Sequence, residues 1–156
     1  MGLSVRDISL SLLRWLFGAV FLFSGLTKAV DPVGTSVFVE KYLATYGLDA
    51  LMEFALSIAL ALATVELTLG IAVIVNVFHR LTLRISLLFV ALFTLITLLS
   101  ATVLPIGDCG CFGDAVKLSP WATFWKNIGL LVVVVVLLRY DHREYTTSLT
   151  QIGLCL

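Results

Sequence analysis

Two cysteines one residue apart, Cys109-Gly110-Cys111, are the side chains of this sequence best equipped for chemistry. A thiolate attacks a disulfide through a mixed-disulfide intermediate, so a thiol pair held in an oxidising compartment is a candidate for exchange. Bonded cysteines want their Cα atoms about 4.4–6.8 Å apart, and across a single residue that requires a cramped turn, which Gly110 permits. So short a loop removes little chain entropy when it closes, and strained, exposed bridges are the more oxidising ones. An exchanging redox pair is therefore favoured over a static disulfide clip and over metal-binding thiols. Asp108 and Asp114 oppose thiolate formation, whereas Lys117, Lys126 and a helix start at Ser119-Pro120 favour it.

The second candidate is Glu66, which lies inside a long apolar run. An ionisable group there is expensive and points to function by default. As a neutral carboxyl it would bond to Ser24, Thr64 or Thr68; as an ion it would pair with Arg14 or Lys28. A structural ion pair and a proton-handling or quinone-site role are equally compatible with the sequence. Asn76, Asn127, Thr94 and Thr97 read as polar links between helices, and Ser24-Gly25 as a point of close helix approach. No metal is expected. His79 and His142 fall on the side of the membrane opposite the cysteine pair, Met1 and Met52 make no cluster for copper, and no Cys-x-x-Cys-His exists for haem. Cys155 reads as an inert tail residue.

The surrounding chain is far too apolar for an ordinary soluble domain. Of 156 residues, 60 % are hydrophobic and 13 % charged, and the mean hydropathy is +1.10. Ten basic and ten acidic side chains cancel, which removes any electrostatic reason to expect a nucleic-acid partner. Four stretches reach the roughly 20 apolar residues that a helix needs to cross a bilayer. They run at about residues 9–29, 51–78, 83–104 and 120–138, leaving outer loops at 30–50 and 105–119. None alternates as a barrel strand must. The expected fold is all-α: one domain over 1–156, an integral membrane four-helix bundle with a short outer-surface helix between helices 1 and 2.

That surface helix follows from Asp31-Pro32, which breaks the first helix, and from apolar or aromatic residues at Val37, Phe38, Tyr42, Leu43 and Tyr46 before Gly47. A connector covering the mouth of the bundle is favoured over a docking helix. Arg6, Arg14, Arg80, Arg84, Arg139 and Arg143 all fall on one side, which the positive-inside rule makes cytoplasmic together with both termini. The Cys109-Cys111 loop then faces the periplasm or the exterior. Trp121, Phe124 and Trp125 read as interfacial anchors beneath it.

The stretch RWLFGAVFLFSGLTKAVDP from Arg14 to Pro32, the following YGL, Glu66 with Gly70, and above all GDCGCFGDAVKLSPWATFWKN resemble the DoxX-like superfamily, specifically its MauE (methylamine utilisation) branch. The resemblance implies a small four-helix protein of the bacterial inner membrane, associated with periplasmic thiol redox chemistry and thioredoxin-like partners. In methylamine utilisation it ties such proteins to maturation of a disulfide-rich dehydrogenase subunit. It carries to Cys109 and Cys111 most directly and to Lys28 and Glu66 less so. The expectation is a membrane thiol-disulfide oxidoreductase that meets a thioredoxin-like protein, with a quinone between the helices or a membrane donor as its electron partner. The alternatives are a non-catalytic subunit or assembly factor of a larger membrane complex, and a proton-coupled carrier using Glu66.

Overall fold

A computed structural model describes residues 5–102 and 119–140, so Cys109, Cys111 and Cys155 lie outside the described residues. Helix α1 spans Val5–Val30 and ends where the chain meets Asp31-Pro32. One residue serves both as the stop and as the next start. Asp31, held out of helical geometry by the proline after it, turns its carboxylate to accept the Gly34 N–H at 2.8 Å. Pro32, with no N–H to leave unsatisfied, then occupies the first turn of α2, Pro32–Thr45. Gly47, at φ +69°, reverses the chain into a short 3₁₀ helix, Asp49–Phe54, which leads into α3, Ala55–Val75.

The connection from α3 to α4 takes three residues. Asn76 stops α3 in the left-handed region at φ 63°, where its short polar side chain is tolerated, and its side-chain oxygen pairs with His79 Nδ1. Helix α4, His79–Thr102, therefore starts four residues before the expected Leu83, and Arg80 and Arg84 lie on its first turns rather than in a loop. Asn76 thus links the end of α3 to the start of α4, from the turn rather than from within a span. Helix α5, Pro120–Tyr140, opens as expected on Ser119, whose hydroxyl accepts the Ala122 N–H at 3.2 Å.

Among the described residues α1 packs most extensively on α3, and α4 on α5, while α2 lies across the end of α3. Small residues set the first of these contacts. A Cβ on Gly25 would lie 2.9 Å from Leu67 N and 3.1 Å from Ala63 O; one on Gly70 would lie 3.0 Å from Leu22 N and 3.1 Å from Gly18 O. Ala55, Ala59 and Ala63 continue the buried stripe along α3. Association between helices in lipid relies on this sort of close backbone approach, because burying apolar surface there gains little. Phe17 and Phe21, stacked 4.7 Å apart, fill the centre with Leu69, Leu83, Val90, Val134 and Leu137.

The remaining apolar surface faces outward. Trp15, Leu60, Leu88 and Val132 are exposed on four helices that are each long and apolar enough to span a bilayer, so the chain is a multi-pass membrane protein. Trp121 and Trp125 are exposed on the first turns of α5, as interfacial anchors are. Replacing Gly25 or Gly70 with valine should lower stability in detergent by about 1–3 kcal/mol, seen as a lower Tm. Gly129→Ala should not, since a Cβ there meets nothing within 4 Å.

Candidate functional site

Helices α1 and α3 run in opposite directions, and helical side chains lean back toward the start of their own helix. Lys28, near the end of α1, thus leans away from α2 while Glu66, midway along α3, leans toward it. They meet in a salt bridge of 2.8 Å between Nζ and Oε2, with side chains only 3 % and 6 % exposed. The ammonium also donates to Ser24 Oγ at 2.8 Å and to the Ser24 carbonyl oxygen at 3.3 Å, which accounts for three donor hydrogens. Of the partners the sequence offered to Glu66, Lys28 is the one that pairs. Thr64 and Thr68 are exposed and bond to carbonyls of their own helix, Leu60 and Thr64 respectively.

The pair forms a partition between two spaces. On one side lies a chamber of about 30 Å³ lined by Ser24, Glu66, Lys126, Asn127, Val20 and Phe93. That is room for one or two water molecules beside the four polar side chains, in a wall that Phe21, Phe89, Val90 and Leu130 make mostly apolar. On the other side lies an apolar pocket of about 470 Å³ beneath α2. Lys28 lines it together with Phe38 and Tyr42 from α2, Leu62 from α3, and Phe93 and Ile96 from α4. Phe93 belongs to both linings, and the ion pair contributes Glu66 to one and Lys28 to the other.

The surface helix roofs the pocket. Phe38, Val39, Tyr42, Leu43 and Tyr46 supply its underside, whereas Val37, expected on that face, is exposed. A connector covering the bundle mouth describes what α2 does. Between α4 and α5, Asn127 Nδ2 donates to Thr97 Oγ1 at 3.5 Å, the polar link between helices that the sequence led us to expect. Lys126 and Asn127 reach the Glu66 chamber, a role sequence reading assigned to neither. The signal for it was present: both fall within two turns of the α5 start, on the face that carries Thr123 inward. No group of three or more His, Cys, Asp or Glu able to hold a metal occurs among the described residues.

The family model for the methylamine utilisation protein MauE matches residues 6–140. The chain belongs to the MauE family. Among characterised proteins, Protein TlpB of Flavobacterium psychrophilum is 30 % identical over 132 residues, which cover 80 % of this chain and 35 % of that protein. The MauE-like chain thus spans about a third of this relative's length. No solved structure matches.

Breaking a buried pair by removing one partner strands a charge, at a cost of about 3–5 kcal/mol, whereas removing both costs much less. Lys28→Met and Glu66→Gln should each depress Tm in detergent sharply, and the double variant should recover most of the loss. Additive losses in such a double-mutant cycle would show that the two side chains are not coupled.

Proposed function

We propose that this MauE-family chain is a membrane thiol-disulfide exchange protein whose Cys109-Cys111 pair reacts with a periplasmic thioredoxin-like partner. A thiolate of the partner attacks one sulfur of the Cys109-Cys111 disulfide, giving a mixed disulfide and releasing the other sulfur as a thiolate. The partner's second thiol then displaces the remaining cysteine. The partner leaves oxidised, and Cys109 and Cys111 have gained its two electrons and, once protonated, two protons. A quinone of the bilayer is the acceptor that restores the disulfide, taking up the same two electrons and two protons to become a quinol. The sequence holds no second cysteine pair, so that step falls to a bound quinone or to another subunit, and the quinone is the acceptor taken here.

The observation that carries this reading is the Cys-Gly-Cys element itself, set in a chain of the MauE family. It belongs to the 16-residue interval between Thr102 of α4 and Ser119 of α5. The charge bias of the short connections supports a cytoplasmic location for both termini and a periplasmic one for this interval, in the bacterial inner membrane. The length of the TlpB relative supports a partner. It carries a matching region as about a third of a longer chain, leaving room for an exchange partner joined covalently. DoxX-like ancestry fits the same picture.

Trapping in intact cells tests the proposal. With Cys111→Ser, the remaining Cys109 should be caught in a mixed disulfide with a thioredoxin-fold protein, visible as a reducible adduct on a non-reducing gel. Loss of both cysteines should abolish the adduct and the redox cycling of the partner. If function survives that loss with no adduct, the chain is instead a non-catalytic subunit or assembly factor and the cysteines a static clip.

A further inference from the structure

The space beneath α2 is a feature to which neither the family nor the cysteine chemistry assigns a role. Its volume of about 470 Å³ falls within the range of small-molecule sites, about 300–1,000 Å³. Three properties define what fits it. The wall is almost wholly apolar and aromatic, with Phe38, Tyr42, Leu62, Phe93 and Ile96 around it. The wall also includes Leu92 and Leu99, which are themselves exposed on the spanning helix α4, so an occupant can arrive from the bilayer. The third property is the Lys28 ammonium in a largely apolar lining, ion-paired to a carboxylate that also lines the small chamber beside Lys126 and Asn127.

An acyl chain uses the first two properties and has no use for the third. A buried ion pair costs several kcal/mol in desolvation, and an intramembrane one is retained where charge or protons must be handled. We propose that the pocket beneath α2 binds the ring of a membrane quinone, with one ring oxygen at Lys28 Nζ and the alkyl tail leaving toward the lipid. The bond from Lys28 to the Ser24 carbonyl, at 3.3 Å, is longer than those to Ser24 Oγ and Glu66, both 2.8 Å, and is the one a quinone oxygen displaces. The tyrosine and phenylalanine rings of α2 and α4 form the flat walls that a planar ring packs against.

The chamber accounts for the protons. Reduction of a quinone to a quinol consumes two electrons, here from the Cys109 and Cys111 thiols as they close a disulfide, and two protons, which those thiols release. Glu66 and Lys28 link the small chamber beside Ser24, Lys126 and Asn127 to the space that holds the ring. A proton delivered from Lys28 to the ring oxygen is replaced, across the salt bridge, by one that Glu66 accepts from the chamber side. This assignment rests on the quinone-linked reading above for its electrons, but the binding site stands on α2, α3 and α4 alone.

Equilibrium dialysis of the full chain in detergent micelles tests it, with decylubiquinone as probe and n-decylbenzene as a ring of similar reach without carbonyl oxygens. The expected result is retention of decylubiquinone at least tenfold above decylbenzene, falling to the decylbenzene level in Ile96→Trp and in Leu62→Trp, which fill the pocket from different helices. The Lys28→Met, Glu66→Gln double variant should lose the same discrimination while keeping its helix content. Equal retention of the two probes would overturn the proposal in favour of an acyl-chain groove, as would undiminished decylubiquinone retention in both tryptophan variants. A Cys109→Ser, Cys111→Ser variant separates the two proposals. Quinone retention there without any partner adduct from the Cys111→Ser chain sinks the thiol reading alone; an adduct without quinone retention sinks the pocket alone.

Discussion

Two backbones in contact make everything else in this molecule possible. Where Gly18, Gly25, Ala63 and Gly70 remove side chains from the α1 and α3 interface, the helices approach until a single Cβ would collide with the opposite main chain. At that spacing Lys28 and Glu66 are brought into a 2.8 Å contact while shielded from lipid on all sides. A wider gap would leave two charges facing hydrocarbon, which the bilayer strongly disfavours. Small residues and charged residues in these helices are thus one design: the former create the enclosure without which the latter could not be kept ionised together.

The ion pair in turn organises the cavities. It stands between a small chamber reached by α5 and an apolar pocket covered by α2, and among the described residues no other charged side chain lines the apolar one. The surface helix owes its position to a single corner, where Asp31 ends one helix and caps the next. Because just one residue separates α1 from α2, the roof cannot drift from the pocket it covers. Local capping chemistry at Asp31-Pro32 therefore determines the shape of a space formed largely by residues far away in sequence.

How much of this was legible beforehand depended on the range of the interaction. Four spans, the Asp31-Pro32 break, the Gly47 turn and the Ser119 cap are written in local composition and were read from it. The start of α4 was misplaced because a three-residue turn between two apolar runs leaves little trace in composition, although Asn76 does link the two helices, through His79. For Glu66 the sequence could name five partners but not choose, since the choice depends on which helices are antiparallel neighbours and in what register. The pocket left no periodic trace at all. It is a gap between three elements, and only its roof, with Phe38, Tyr42 and Tyr46 four residues apart, left a mark.

The three-residue turn from Asn76 to Phe78 has a consequence of its own. It ties the tightly packed α1, α2 and α3 to the paired α4 and α5, and the contact between α3 and α4 is slight among the described residues. A tether that short keeps the two units at an effective concentration far above any that free diffusion in a bilayer would provide. Their shared face is therefore relieved of the task of holding them together. An interface under that obligation has to be filled with side chains throughout; this one, packed at its centre by Phe17 and Phe21 with Leu83, Val90, Val134 and Leu137, can stay open beneath α2.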